Sequence, residues 1–403
     1  MHPSSDRAAS QTAPTPRLRL DPAERRALGG LAAIYAARML GLFLLLPVLA
    51  LYAAGLPAAT AGLVGLAMGA YGLVQAVFQV PFGIASDRWG RRPVIALGLV
   101  LYAAGSVVGA LATTIGGVIA ARLVQGSGAV SGPVTALLSD LTRSEVRTRA
   151  MAVIGISIGG SFVISLVAAP PLVALIGVHG LFWVMAALAM LCLVLLFTAV
   201  PSGPGRAVPR AAGGPGLAAA LTPALLPYHL GVFVLNFVLT AAFVGVPHAL
   251  QDVLHMPLEG HWKTYLWVFL ASVPPTIPLV LYTERAKVPG RVLRLGVLLL
   301  AVSLAALAFG FMNYWSLALS LVAFFTAFNY LEARLPARLS QAVPPQIRGA
   351  ALSVFAVAQT LGGGAGGYVA SLVRGTHYGV HGVFAVAALA AVGWWFVARP
   401  ERG

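Results

Sequence analysis

The sequence has few charged residues, few acids and a single cysteine. Only 9% of its 403 residues are charged. Soluble domains carry about 25% charged residues, so a water-soluble globule of this length could not cover its surface with polar groups. The single cysteine excludes an intramolecular disulfide and a cysteine-based metal site. Because 59% of the residues are hydrophobic, the composition indicates a protein that lies in lipid.

Long apolar runs predict twelve membrane-spanning helices, since a helix needs roughly 20 apolar residues to cross the hydrocarbon core. The only long break is residues 201–222, with four prolines, five glycines and no run long enough to span. We therefore predict an all-α membrane protein with two pseudo-symmetric six-helix bundles. The predicted spans are 28–51, 59–82, 93–112, 117–139, 150–174, 179–200, 224–250, 262–282, 292–311, 315–337, 349–372 and 380–398. The predicted domains are a tail (1–27), a bundle (28–200), a linker (201–222), a bundle (223–398) and a tail (399–403).

Basic residues are concentrated on alternate loops of this predicted topology. Of the 26 Lys and Arg, 22 fall on the side that carries both tails and the linker, whereas Lys263 and Arg374 fall on the other. The positive-inside rule then predicts cytoplasmic termini, in a multi-pass protein of a bacterial inner membrane. The net charge of +15 is thus a topological signal, and no nucleic-acid partner is expected.

Two motifs and two longer stretches resemble a known family. The segment after the second span matches the signature loop of the major facilitator superfamily, and Arg122 opens a fourth-span stretch similar to its RxxQGxGA motif. Stretches over 38–48 and 71–82 resemble the YajR-like branch of its drug:proton antiporters. This resemblance covers nearly all twelve spans and implies the major facilitator fold, without the soluble C-terminal domain of YajR. The signature residues are Gly83, Asp87, Arg88, Gly90, Arg91 and Arg92.

The signature residues are predicted to form a cytoplasmic gate. Gly83 allows close helix approach, and Gly90 allows a turn conformation that other residues avoid. Asp87 can cap the positive end of a neighbouring helix, and the resemblance implies that this helix is the eleventh, in the opposite half. Arg91 can pair with Asp140 at the end of the fourth span. The alternative is that these charges only stop the helices at the membrane interface.

Ionisable side chains within the bilayer are rare and are functional by default. The sequence has three, Arg38, Arg122 and Glu332, and we predict that all three take part in proton coupling. Glu332 of the tenth span is the leading proton carrier, because a low dielectric favours the protonated form of a carboxyl group. Its alternative is an ion pair with Arg334 or Arg338. The buried arginines could instead donate to backbone carbonyls or hold an anionic substrate.

Polar and aromatic residues on otherwise apolar helices are candidates for a cavity lining. A cavity of this kind suits lipophilic ligands better than sugars, which demand many paired donors and acceptors. Hydrogen bonding between helices is the alternative for each polar residue. The glycine-rich run 361–367 lacks the ending of a phosphate loop and is predicted to allow close helix packing. The cavity candidates are Tyr71, Gln75, Asn236, Phe325, Asn329 and Gln359.

The predicted function is secondary active transport by alternating access, as proton-coupled efflux of lipophilic or drug-like small molecules. The proton gradient is the expected energy source, and no cofactor or metal is expected. Expected partners are a small-molecule substrate, protons and membrane lipid, with the monomer as the functional unit. The first alternative is a symporter or uniporter of a small metabolite, which is anionic if Arg38 or Arg122 binds it. A distant alternative is a non-transporting receptor, and no catalytic constellation indicates an enzyme.

Overall fold

The described residues of the computed structural model fold into fourteen α-helices. These residues are 20–201, 217–285, 289–310, 313–344 and 347–398. A π-helical turn, Ala249–Val253, and a 3₁₀ turn, Leu258–Gly260, follow α9. The helices are α1 (Pro22–Leu44), α2 (Leu46–Ala54), α3 (Ala61–Trp89), α4 (Arg91–Leu111), α5 (Ile115–Ser127), α6 (Ser131–Asp140), α7 (Ser144–Thr198), α8 (Leu217–Ala220), α9 (Leu226–His248), α10 (His261–Arg285), α11 (Pro289–Phe309), α12 (Tyr314–Ala342), α13 (Arg348–Arg374) and α14 (Gly379–Val397).

These helices correspond to the predicted spans. Eight helical segments of the described residues are long and apolar enough to cross a membrane, and one of them, 153–198, covers most of both the fifth and the sixth predicted span. The other three predicted spans are also helical. The fourth is divided between α5 and α6, the eighth is α10 and the eleventh is α13. The all-helical fold class predicted from the sequence is confirmed.

Local sequence explains the breaks within spans. Pro47 lies at the start of α2 and lacks the N–H that would continue α1, so the first span bends at Leu45. Within α7 the backbone leaves helical geometry at Gly177, whose φ of 69° is a conformation that glycine adopts without strain. The fifth and sixth spans therefore meet at one residue rather than through a loop.

Helix ends differ from the prediction at both sides of the first bundle. The first helix begins at Pro22 instead of residue 28, because Glu24 accepts a hydrogen bond from the Asp21 backbone N–H at 2.9 Å and so caps the helix start. Arg25 and Arg26, predicted in the tail, therefore lie on α1. The predicted tails lie mostly outside the described residues, which omit 1–19 and 399–403. Of the predicted linker, 202–216 is also outside them, and α8 occupies 217–220.

Hydrogen bonds and ion pairs connect the start of α1 to the residue that precedes α7. Arg143 donates to the Glu24 carboxylate through its backbone N–H (3.0 Å), Nε (2.9 Å) and Nη2 (3.0 Å). The Glu24 side chain is 8% exposed, whereas Asp21, 3.6 Å from Arg143, is 62% exposed. The buried carboxylate therefore contributes most of this contact.

We expect Glu24→Gln to destabilise the folded protein by about 1–2 kcal/mol, since hydrogen bonds to a charged acceptor are the stronger ones. Thermal unfolding in detergent measures the effect as a lower melting temperature. The matched control is Asp21→Asn, which removes an exposed charge facing the same arginine and should change the melting temperature little. Equal shifts for the two variants would contradict the assignment of the contact to Glu24.

The two halves of the chain meet along a seam between α3 and α13. A Cβ atom added at Gly69 would collide with the carbonyl oxygen of Gly364, so the two backbones touch. The prediction that the glycine-rich run of α13 allows close packing is thus confirmed, and the partner glycines are on α3. The facing residues of this seam are Gly65, Gly69 and Gly72 of α3 and Thr360, Gly364 and Tyr368 of α13.

The seam lies away from the face where the described chain begins and ends. Successive spans alternate in direction, so an even number of them returns the chain to the face where it began. We name this the terminal face and the opposite one the distal face. Near the distal face, a Cβ atom at Gly375 would meet Ala61, which starts α3. The seam runs from there to Gly72 and Thr360 and ends at that level.

Candidate substrate cavity

A cavity of about 370 Å³ lies between the two halves, directly on the terminal side of the seam. This volume is within the range of about 300–1,000 Å³ that is usual for small-molecule sites. Four predicted cavity candidates line it, namely Tyr71, Gln75, Asn236 and Gln359. The apolar part of the wall comes mainly from Tyr35, Met39, Leu42, Phe43, Leu46 and Met68.

Two predicted cavity residues lie elsewhere. Asn329 donates from Nδ2 to Ser272 Oγ of α10 at 3.4 Å, and Phe325 packs edge-on against Phe269 of α10 at 6.3 Å. Both share a stripe of α12 with Glu332, since residues seven and three positions apart point the same way. Only the end of this stripe nearest the terminal face reaches the cavity, because α10 covers the rest.

A layer of phenylalanines closes the distal side of the cavity. Phe162 of α7 is its centre, with ring centroids 5.2 Å from Phe43, 5.9 Å from Phe243 and 6.4 Å from Phe269. Phe43 and Phe162 belong to the first half, and Phe243, Phe269 and Phe325 to the second. The rings therefore join the halves where α3 and α13 also touch.

Two glycines near the terminal face have no close neighbours. A Cβ atom added at Gly83 near the end of α3, or at Gly155 on α7, would meet no other atom within 4 Å. The predicted close helix approach at Gly83 is therefore wrong. The close approach occurs at Gly65, Gly69 and Gly72 instead, which lie nearer the distal face on the same helix.

Glu332 lines the cavity from α12. Its Oε1 accepts a hydrogen bond of 2.8 Å from Gln359 Nε2, and its Oε2 has no hydrogen-bond partner among the described residues. The alternative of an ion pair with Arg334 or Arg338 is not among the contacts of Glu332 in the described chain. Glu332 is thus held by a neutral amide rather than by a counter-charge.

Arg122 and Arg38 lie on either side of Tyr71. The Arg122 guanidinium stacks on the Tyr71 ring at 4.7 Å, donates from Nη1 to Gln125 Oε1 at 3.0 Å, and lines the cavity. Arg38 donates to the Tyr71 hydroxyl at 2.9 Å, to Ser131 Oγ at 3.3 Å and to the backbone carbonyl of residue 128 at 3.4 Å. The side chain of Arg38 is one layer behind the cavity, where it positions Tyr71 and Ser131.

The signature segment is a nearly continuous helix and not a loop. Asp87 and Arg88 lie in the last turn of α3, Arg91 starts α4, and only Gly90 breaks the helix. Its φ of 94° is the left-handed conformation predicted for this glycine. Arg88 is exposed. Because the connection is a single residue, the charges on both helix ends come within reach of one another.

Charge pairs in this segment stay within the first half. Arg91 contacts Asp87 at 2.5 Å and donates from Nε to Asp140 at 3.2 Å, the pair predicted from the sequence. The described contacts of Asp87 do not include α13, whose capping by Asp87 therefore stays a prediction for a different conformation. Arg92 Nη2 donates to the carbonyls of Leu196 (2.8 Å) and Val200 (2.6 Å), so its charge caps the C-terminal end of α7.

Several residues of the site were not identified from the sequence. Gln79, Ser131, Thr240 and Thr360 line the cavity. Gln79 is four positions after Gln75 on the same face of α3, a signal that helical periodicity supplies. The ring layer around Phe162 carries no such signal, because phenylalanine is common throughout apolar spans.

Two groups of helices with a cavity between them, lined by an acid and an arginine, form the arrangement of a secondary membrane transporter. A model of the Major Facilitator Superfamily matches residues 31–333, so the chain belongs to this superfamily. It is a multi-pass membrane transporter for a small-molecule substrate and not an enzyme, as predicted.

Known proteins similar to the chain are transporters. The inner membrane transport protein YajR of Escherichia coli (strain K12) is 40% identical over 387 residues, 95% of this chain and 85% of YajR. A transporter of Buchnera aphidicola subsp. Acyrthosiphon pisum is 34% identical over 82% of this chain and 85% of its own length. These matches confirm the predicted resemblance to the YajR-like branch.

Solved structures with low sequence identity share the fold. An inward-facing bacterial homolog of the human lysosomal transporter Spinster has a TM-score of 0.75 at 14% identity, covering 94% of this chain and 97% of its own. The nucleoside transporter NupG has a TM-score of 0.73 at 16% identity, covering 92% and 98%.

Proposed function

We propose that the protein exports lipophilic or drug-like small molecules in exchange for protons, by alternating access. The observation that carries this proposal is Glu332, the one acid among the described residues that line the cavity. Its carboxyl group sits beside apolar and amide groups, without a basic partner among its described contacts. A group in that position is protonated or ionised according to what else occupies the cavity.

Competition at Glu332 provides the coupling. An ionised carboxylate at mid-membrane is costly to carry across unless a proton or a positively charged ligand neutralises it. The return step therefore requires a proton, and the export step requires a substrate, at the same group. Gln359 can serve both states, because its amide donates to the carboxylate and accepts from the carboxylic acid.

The membrane orientation supports export by this route. The 22 basic residues on one side, and the inner-membrane location in the name of the E. coli relative, favour a bacterial inner membrane with cytoplasmic termini. With this orientation the terminal face is cytoplasmic, and we assign the structure to the inward-open form. In the cell the proton gradient points inwards, so proton return drives substrate outwards.

The test is transport by purified protein in proteoliposomes with an imposed pH gradient and a panel of lipophilic cations, zwitterions and neutral compounds. We expect substrate movement opposite to the proton gradient, abolished when an ionophore collapses it. Protein-free liposomes control for leakage of lipophilic compounds. Movement that persists unchanged without the gradient contradicts proton exchange.

Arg122 favours a second candidate, a symporter or uniporter of a small anionic metabolite. It is a buried cation that lines the cavity, with no acid among its described contacts. The same assay separates the candidates by the direction of coupling. A uniporter moves its anion indifferently to the pH gradient, and a symporter moves it with the protons rather than against them.

A further inference from the structure

Two opposite charges line the cavity from opposite halves. Arg122 comes from α5 in the first half and Glu332 from α12 in the second, and the described contacts of each do not include the other. We propose that the substrate is amphoteric, with an acidic group at Arg122, an amine at Glu332 and an apolar body between them. This inference rests on the proposed function and names its substrate class.

The Arg122 side of the cavity is a fixed positive wall. Arg122 is 2% exposed, and neither it nor Arg38 has a carboxylate among its described partners. Tyr71 and Gln125 position the Arg122 guanidinium, and its Nε has no hydrogen-bond partner among the described residues. Two guanidinium charges against one carboxylate repel a ligand that carries only an amine, so the positive wall selects for an acidic group.

The Glu332 side supplies the second selection. Its free Oε2 can accept from an ammonium group while Oε1 keeps its hydrogen bond to Gln359. Binding of an ammonium group competes with the proton at this carboxylate, which is the requirement of exchange. An anion without an amine would instead bind together with the proton, since protonation of Glu332 removes the negative charge that repels the anion, and would be carried in symport.

The remaining wall fits the body of such a molecule. Leu42, Leu46 and Met68 give the cavity apolar surface in addition to the two charged side chains. The space of about 370 Å³ accommodates a short alkyl or aromatic body. A ligand that touches both halves at once also stabilises the state in which they close on it, which is how binding energy drives alternating access.

The experiment uses ω-amino acids of six, eight and eleven carbons and two blocked forms of each. The N-acetyl form lacks the free amine, and the methyl ester lacks the free acid. Binding to the purified full chain in detergent is measured by thermal stabilisation. At the best chain length we expect the free amino acid to bind at least about tenfold more tightly than either blocked form, because each blocked form loses one hydrogen bond to a charged group.

Variants assign each charge to its residue. In Glu332→Gln we expect the free amino acid and its N-acetyl form to bind equally tightly. In Arg122→Gln we expect the free amino acid and its methyl ester to bind equally tightly. An ester that binds as tightly as the free amino acid overturns the proposal in favour of a lipophilic cation, and an equally tight N-acetyl form overturns it in favour of an anion. Absence of binding by the whole series also overturns the proposal. If Arg122→Gln does not fold, Glu332→Gln together with the blocked ligands is sufficient to test the proposal.

The outcome is separable from that of the proposed function. Ligand preference is measured at equilibrium without a pH gradient, whereas proton exchange is measured in proteoliposomes. If the preference holds and transport ignores the gradient, the substrate class stands and proton coupling fails. If exchange is observed only for cations or neutral compounds, proton coupling stands and the amphoteric class fails.

Discussion

Glu332→Gln is expected to reduce pH-gradient-driven transport at least about tenfold, and to slow exchange of substrate without a gradient as well, because proton and substrate compete for this group. Glutamine keeps the size of the side chain and a hydrogen bond to Gln359. It removes the only carboxyl group among the described residues that line the cavity. The variant therefore resembles a permanently protonated carrier, which changes access but cannot release a proton.

Two measurements in proteoliposomes check this expectation. Gradient-driven substrate flux should fall to the background of empty liposomes. Counterflow, in which internal substrate exchanges for labelled external substrate, should fall as well. The matched control is Glu259→Gln, an exposed acid of the same half on the 3₁₀ turn, which should leave both rates unchanged. Gradient-driven flux at the wild-type level, with its pH dependence intact, would show that Glu332 is not the proton carrier.

Gly69→Leu is expected to prevent closure of the seam and to reduce transport at least about tenfold in protein that still inserts and folds. The added side chain meets the carbonyl oxygen of Gly364, which is backbone and cannot rotate away. Overpacking of this kind costs about 1–3 kcal/mol or more. Because the seam holds the halves together only in the inward-open form, the cost falls on that form and shifts the population by about 5–150-fold.

Crosslinking on the distal side measures this shift. A Cβ atom at Gly62 lies 3.7 Å from the Leu372 side chain, so a cysteine pair at 62 and 372 should crosslink readily in the inward-open form. The pair is made in a Cys192→Ala background, and the crosslinking rate should fall when Gly69→Leu is added. Gly155→Leu is the control, because a Cβ atom there meets no other atom within 4 Å. Equal effects of the two leucines would show that the seam is not the point of closure.

Much of the site could be predicted, since ionisable and amide side chains stand out in an apolar span. The three buried charges, and four of six cavity candidates, lie at or beside the cavity. Phe325 and Asn329 were misplaced because helical periodicity gives the direction of a side chain on its own helix, but not which neighbour covers that stripe at each depth.

The glycines show the same limit. Gly90 was predicted correctly because the need for a positive φ is a property of one residue and its neighbours. Gly83 was predicted to touch another helix and faces open space, because helix approach depends on two elements and on the conformation of the whole.

The sequence by itself determined the all-helical membrane class, the places of the long apolar helices and the signature segment. Each of these follows from local composition, since a span must bury its own length of apolar residues in lipid. The tertiary structure alone decided that the halves meet at the seam and at the ring layer around Phe162, and that Arg122 and Glu332 face one cavity without pairing. These are contacts between residues more than 200 positions apart in some cases, and their geometry depends on how two six-helix bundles lie against each other, which no local pattern encodes.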